Sequence, residues 1–338
     1  MTISPIAALC LGLCAAAAGA QAAGAQAASS GYHVIDRISG PDGGWDYIRV
    51  DTANNKVLVA HGGSVVALDL RTKAVTPGLA PGAILHDPLP VNGGAEIMVT
   101  NGGTAAAVFY DAKTFAEIAR VTTGKGPDAA AFDAKSGLVL VMNHVGGDVT
   151  LIDPKTHKAV GSITVGGDLE AAAVDGAGRA YVNVENKNEI VVVDIAKRAV
   201  VTHYPLAGCD GPTGIAYDAA NKQLIAACDG STVVIDAATG KVVATLATGK
   251  GADGVAFDPK QKLAFVPAGR EGTLAIVSIG KGKASIVDTV KTQVSARTIA
   301  VDPRDGRLYL PAAEYGPKPA TGRAPLIPGS FKILVVGK

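Results

Sequence analysis

Aromatic residues make up only 4% of the 338-residue chain, with a single tryptophan, and neither charge sign dominates, the net charge being +1. No long run of Lys or Arg occurs. A nucleic acid backbone therefore meets no basic footprint, and its bases find few rings on which to stack. There are only four cysteines, and no Cys-x-x-Cys-His arrangement that would attach a haem covalently. Charges and glycines interrupt every apolar stretch after the N-terminus, so none reaches the roughly 20 residues of a bilayer span. Nucleophile-elbow, zinc-protease and phosphate-loop motifs are likewise missing. What is abundant is hydrophobic residues (48%), with 42 glycines and 18 prolines. Such a chain forms a core and turns often, which points to an all-β protein.

Residues 6–19 form an Ala- and Leu-rich run too short to cross a bilayer, followed by Ala20-Gln21-Ala22 and Ala25-Gln26-Ala27. This pattern predicts a secretory signal peptide over residues 1–27 and one domain over residues 28–338. Leu9 and Leu13 stand before Cys10 and Cys14, where lipoprotein processing wants a small residue. A periplasmic or secreted, non-lipidated protein is expected. Its two remaining cysteines, Cys209 and Cys228, are expected to pair in an oxidising compartment, with free thiols or soft-metal ligation as the alternatives.

Internal repetition decides the fold. An acid or amide recurs at Asp51, Asn92, Asp133, Asp175, Asp218, Asp258 and Asp302, and a second series at Asp69, Asp111, Asp153, Asp194, Asp236 and Ser278. Both march at a period of about 42 residues. Within residues 126–167 this period holds four strand-like runs separated by tight turns, including Val139-Leu140-Val141 and Val149-Thr150-Leu151-Ile152. Four strands per unit without helical linkers predict a seven-bladed β-propeller of four-stranded antiparallel blades. The last unit stops after its third strand, and residues 32–38 read as an isolated fourth strand. The N-terminal strand is therefore expected to complete the last blade and close the ring.

The units resemble those of the YVTN-repeat (YncE-like) propellers, a family of exported seven-bladed proteins. The resemblance is carried by Val99-Thr100-Asn101 and Tyr181-Val182-Asn183 on second strands, by Pro127-Asp128 before a first strand, and by the Asp153 that ends a third. It covers nearly the whole mature chain and implies the fold. Residues 264–267 and 308–311 depart from the signature.

Propeller ligands usually meet the face where loops enter first strands and leave second strands. Five positions before each first marker stand Asp46, Asp87, Asp128, Glu170, Thr213, Asp253 and Arg297. Asp46, Asp87, Asp128, Glu170 and Asp253 are candidate ligands for a divalent cation of the Ca, Mg or Zn kind. Their alternative role is to cap backbone N–H groups. Two charges about 10 Å apart in water repel by only ~0.4 kcal/mol, so repulsion alone does not require a cation. Trp45, His86, Asn101, Asn143, Glu185, Asn186, Arg270 and Arg297 are the candidate ligand-binding residues. Trp45 also has a packing reading. The strand-end series led by Asp69 is read as structural. The long Pro-rich segment 313–330 is placed to reach over the same face.

Two functions follow. The first is a periplasmic binding propeller, expected to be monomeric, that takes a small ligand, a cation or a protein partner on this face. The second is a metal-dependent hydrolase or lyase of the propeller lactonase type, with His144 and Glu170 as candidate catalytic groups.

Overall fold

Runs such as Val139 to Met142 carry apolar side chains on both faces of the strand, so they are stable only where both faces are covered. The computed structural model, which describes residues 1–2, 30–319 and 321–338, provides this by stacking blades face to face. The expected signal peptide, apart from Met1 and Thr2, lies outside the described residues. In the third blade the strands Leu138–Asn143 and Asp148–Asp153 are buried almost throughout, whereas the outer strand Lys158–Thr164 is mostly exposed. Leu140, Met142 and Leu151 of this blade pack with Val182, Val191 and Val193 of the next in one cluster. Each such side chain contributes roughly 1.5–3 kcal/mol relative to exposure.

The described residues form seven four-stranded antiparallel sheets arranged as a seven-bladed propeller. The first blade starts at Trp45–Asp51 and the sixth ends at Lys283–Lys291. The seventh is built from both ends of the chain: Ala300–Val301, Leu308–Ala312, Lys332–Gly337 and, outermost, His33–Ser39. Val34 lies opposite Val336, which confirms the expected closure. No helix among the described residues is long and apolar enough to cross a membrane.

The recurring acids at strand ends are turn residues. Asp69 accepts hydrogen bonds from the backbone N–H groups of Arg71 and Thr72, and Asp111 and Asp236 repeat the arrangement. Asp218 and Asp258 of the first series do the same. Each replaces a missing ladder partner with a side-chain oxygen. Cys209 and Cys228 form a disulfide with Cα atoms 5.4 Å apart. It ties the loop entering the fifth blade to the end of that blade's second strand, Gln223–Ala227.

Candidate functional site

First strands enter at the channel mouth, and in four successive blades the ladder is broken there. Register shifts fall between Trp45 and Ile48, Leu85 and Pro88, Pro127 and Ala130, and Leu169 and Ala172. A bulge frees two residues from pairing and re-aims them. The first freed residue of each blade is Asp46, His86, Asp128 and Glu170 in turn. Thr213, Asp253 and Arg297 continue this column around blades five to seven.

This pairing corrects the sequence reading of the second blade. Trp45 pairs with His61 and Leu85 with Asn101, so the counterpart of Asp46 is His86 and not Asp87. The marker Asn92 lies one residue beyond its strand, Leu85–Val91, whereas Asp51 and Asp133 end theirs. Counting back from Asn92 therefore lands one residue too far along. Asp87 is fully buried and committed elsewhere. Arg49 Nε donates to its Oδ1 at 2.8 Å, and Arg49 Nη2 and the Ala130 N–H donate to its Oδ2, so both oxygens are already engaged away from the cluster.

The remaining groups converge. His86 Nδ1 is 2.6 Å from Asp46 Oδ2 and 3.2 Å from Asp128 Oδ1. His144, from the loop leaving the second strand of blade three, places Nδ1 3.0 Å from Glu170 Oε1 and 3.2 Å from the Leu169 carbonyl. Donor atoms of Asp46, His86 and Asp128 all lie within 4.8 Å of one another, and so do those of Asp128, His144 and Glu170. Gly102 makes room for this: a Cβ there would stand 2.7 Å from His86 Nε2. Its absence lets the ring pack edge-on with Nδ1 facing the carboxylates.

The electrostatics follow from burial and like charge. Burial pushes Asp46 and Glu170 above the usual carboxylate range, and Asp128 well above it, with repulsion from Asp46 and Glu170 added. Burial alone would depress His86, but its hydrogen bond to Asp46 and the charge of Asp128 outweigh burial and raise it. His144 is pushed up to about 9, chiefly by its hydrogen bond to Glu170. In both pairs a protonated Nδ1 holds the carboxylates together, a place a metal cation is also suited to fill.

Sequence reasoning missed Tyr47 and Arg49. Tyr47 and Arg49 of blade one share a cavity of about 80 Å³ with small residues of later blades, among them Ala129, Ala171, Gly214, Gly254 and Thr298, and with Ile215, Val255 and Ile299. Burial, and then the charges of Asp128, Glu170, Asp46 and Asp253, push the Tyr47 phenol far above its ordinary value. The signal was present in the repeat: a single Tyr in a column of small residues.

Asp253 stands beside the cluster but is paired with Arg297, Nε to Oδ2 at 2.8 Å. Arg297 also donates to the Trp45 carbonyl and lies over the Trp45 ring. Trp45 itself is 4% exposed, against Phe331 and Tyr315, so it packs rather than offering a stacking face. Asn101 and Asn143 are buried as well. Asn143 Nδ2 donates to Asp148 and Thr150, bracing the turn between its blade's second and third strands. Asn186 accepts from the Asp168 N–H. Glu185, Arg270 and Arg297 do line a common space, a pocket of about 720 Å³ beside the cluster that also takes in Asp229 and Asp253. Arg270 pairs with Asp229 across it. In the Pro-rich segment Tyr315 and Leu326 form a bridge, and Tyr315, Arg323 and Ala324 add to the wall of this pocket.

No family model and no curated protein matches the chain. Among solved structures, a chain of Kuenenia stuttgartiensis hydrazine synthase is similar with a TM-score of 0.70 at 18% identity, covering 83% of this chain and 95% of that one. A chain from the mitotic checkpoint complex is similar with a TM-score of 0.72 at 13% identity, covering 91% and 95%. At these identities the likeness establishes the propeller fold and leaves function to the site.

Proposed function

We propose that the chain is an exported binding propeller of the YVTN-repeat kind whose channel mouth holds a divalent cation. One observation carries this reading: four successive blades bring three carboxylates and two imidazoles into two triads that share Asp128, the donor atoms of each lying within 4.8 Å of one another. A cation bound at about 2.1 Å separates its donors by roughly 3–4 Å, which these spacings accommodate. Mixed imidazole and carboxylate donors favour Zn²⁺ or Mn²⁺ over Ca²⁺ and Mg²⁺, which take oxygen alone. Export is supported by the disulfide between Cys209 and Cys228. The YVTN reading is supported by Asn101 and Asn143, each buried at the end of a second strand, and by Asn183, buried one residue before the end of another.

The test is elemental analysis of protein prepared without chelator, followed by calorimetric titration of the stripped protein with Zn²⁺ and Mn²⁺. Bound metal that is lost on Asp128→Asn supports the reading. Absence of binding at micromolar metal overturns it and turns attention to protein partners for the face. The 720 Å³ pocket beside the cluster favours a second reading, a hydrolase or lyase of lactone-like substrates, because a held cation polarises a carbonyl and acidifies bound water. Turnover of lactones by metal-loaded protein, abolished by Asp128→Asn, would establish it.

A further inference from the structure

We infer that the channel mouth is a two-cation centre, with one divalent cation between Asp46, His86 and Asp128, a second between Asp128, His144 and Glu170, and the Asp128 carboxylate bridging them. This rests on the reading that the cluster binds metal at all, and deepens it.

Three observations carry the inference. The first is the division of the donors: they form two triads, each closed within 4.8 Å, and Asp128 is the one residue common to both. Each triad has one imidazole and two carboxylates, a complete facial set for one cation, with positions left over for water or ligand. The second is Asp128 itself. Its side chain is 15% exposed, and its Oδ1, shielded from solvent, has only the His86 Nδ1 at 3.2 Å, too poorly aligned to count as a hydrogen bond and 2.6 Å from Asp46. Backbone donors elsewhere in this layer are used: the Ala130 N–H goes to Asp87, while Thr100 Oγ1 binds the Asp128 carbonyl and not its carboxylate. A shielded carboxylate oxygen whose one near donor is turned to another carboxylate is poorly satisfied, and a cation in the triad would meet it directly.

The third is charge. Among the described residues no Lys or Arg nitrogen lies within 4.0 Å of the carboxylates of Asp46, Asp128 or Glu170; their ion-pair partners are His86 and His144. The two nearby guanidiniums are taken, Arg49 by Asp87 and Arg297 by Asp253. Cations binding here would displace the imidazole protons; three carboxylates and two imidazoles then carry three negative charges, which one divalent cation leaves under-neutralised and two bring to net positive, suited to an oxyanion or hydroxide across the pair. A shared carboxylate is how two-metal sites hold their ions at about 3.5–4 Å.

The experiment uses the full mature chain, stripped of metal and titrated with Mn²⁺, and reads both stoichiometry and the electron paramagnetic resonance spectrum. Two equivalents per chain with an exchange-coupled spectrum are expected. Asp46→Asn and His144→Ala should each leave one equivalent and an uncoupled six-line spectrum, and circular dichroism confirms that each variant is folded. One equivalent in the unaltered chain, or two without coupling, overturns the bridged centre while leaving a metal site. No bound Mn²⁺ or Zn²⁺ overturns the proposed function itself. The spectrum of the unaltered chain decides even if Asp128→Asn fails to fold.

Discussion

His144 Nδ1 and Glu170 Oε1 are 3.0 Å apart across the boundary between blades three and four, and the side chains are 32% and 10% exposed. That contact, ahead of the depressing effect of burial, pushes the His144 imidazole up to about 9. In metal-free protein His144 is therefore a cation at neutral pH and not a free base. A histidine raised in the folded state stabilises fully below its unfolded value of about 6.5, and the contribution is lost as pH rises through about 9. The His144 ring resonance in chelator-treated protein should titrate near pH 9, and Glu170→Gln should lower it, since burial is then opposed only by the charges of Asp128 and Asp168. Titration near 6.5 in the unaltered protein would remove the pair from the argument.

Asp87 and Arg49 make a second prediction, of stability rather than binding. Asp87→Ala leaves the guanidinium beneath the cluster without its bidentate partner and the Ala130 N–H without an acceptor. A loss of about 3 kcal/mol is expected in urea denaturation. Because Arg49 keeps 34% of its side chain exposed, this is the low end for breaking a buried pair. Adding Arg49→Met should restore part of the loss, since the stranded charge is gone. A destabilisation by Asp87→Ala under 1 kcal/mol would make the pair incidental.

These two pairs also show what was legible in the sequence. The repeat announced seven blades and the closing strand, because turn acids and β-branched runs obey local rules that recur with the period. It brought Asp46, Asp128 and Glu170 to one position of the repeat, since in each of their strands the same bulge lies at the same distance before the marker acid. It misassigned Asp87, because a single residue of slack between strand end and marker at Asn92 moves every position before it, and only the pairing of Leu85 with Asn101 reveals the slip. His144 and Glu170 were both candidates, but their contact was not legible, since His144 enters from a different loop of its blade and meets Glu170 only through stacking of blades. Tyr47 was hidden for a different reason: a repeat directs attention to what recurs, and Tyr47 is a departure from it.

The disulfide supports a prediction independent of metal. Cys209 and Cys228 are separated by 19 residues, and a loop of this length corresponds to about 3 kcal/mol of chain-entropy stabilisation. Replacing both by Ala should lower stability by about that much and loosen Asp229, whose Oδ1 accepts from the Gly251 N–H at the pocket edge. Both sulfurs are shielded, at 6% and 0% residue exposure, so mild reductant without denaturant should leave the bond intact. Mass spectrometry after alkylation reads this directly. Labelling of both cysteines in unreduced protein would show free thiols.

The ring is closed by residues that arrive from opposite ends of the chain, so its closure is testable at one side chain. Tyr32, just before the closing strand His33–Ser39, is 5% exposed. Its ring meets Phe265 edge-on at 5.1 Å, and its hydroxyl accepts from Gln261 Nε2 and donates to the Gly306 carbonyl. The side chain thus pins the strand to blade six as well as blade seven. Tyr32→Phe removes only the hydroxyl and should cost about 1 kcal/mol. Tyr32→Ala also empties the space against Phe265 and should cost about 3 kcal/mol or more. Deleting residues 30–39 goes further: it exposes the edge of Lys332–Gly337 along its full length, a template for pairing between chains. Thermal melts should rank the three variants in that order, and size-exclusion chromatography should show association only for the deletion. A deletion variant that melts like the intact chain and stays dispersed would mean that the first six blades hold the ring without the closing strand.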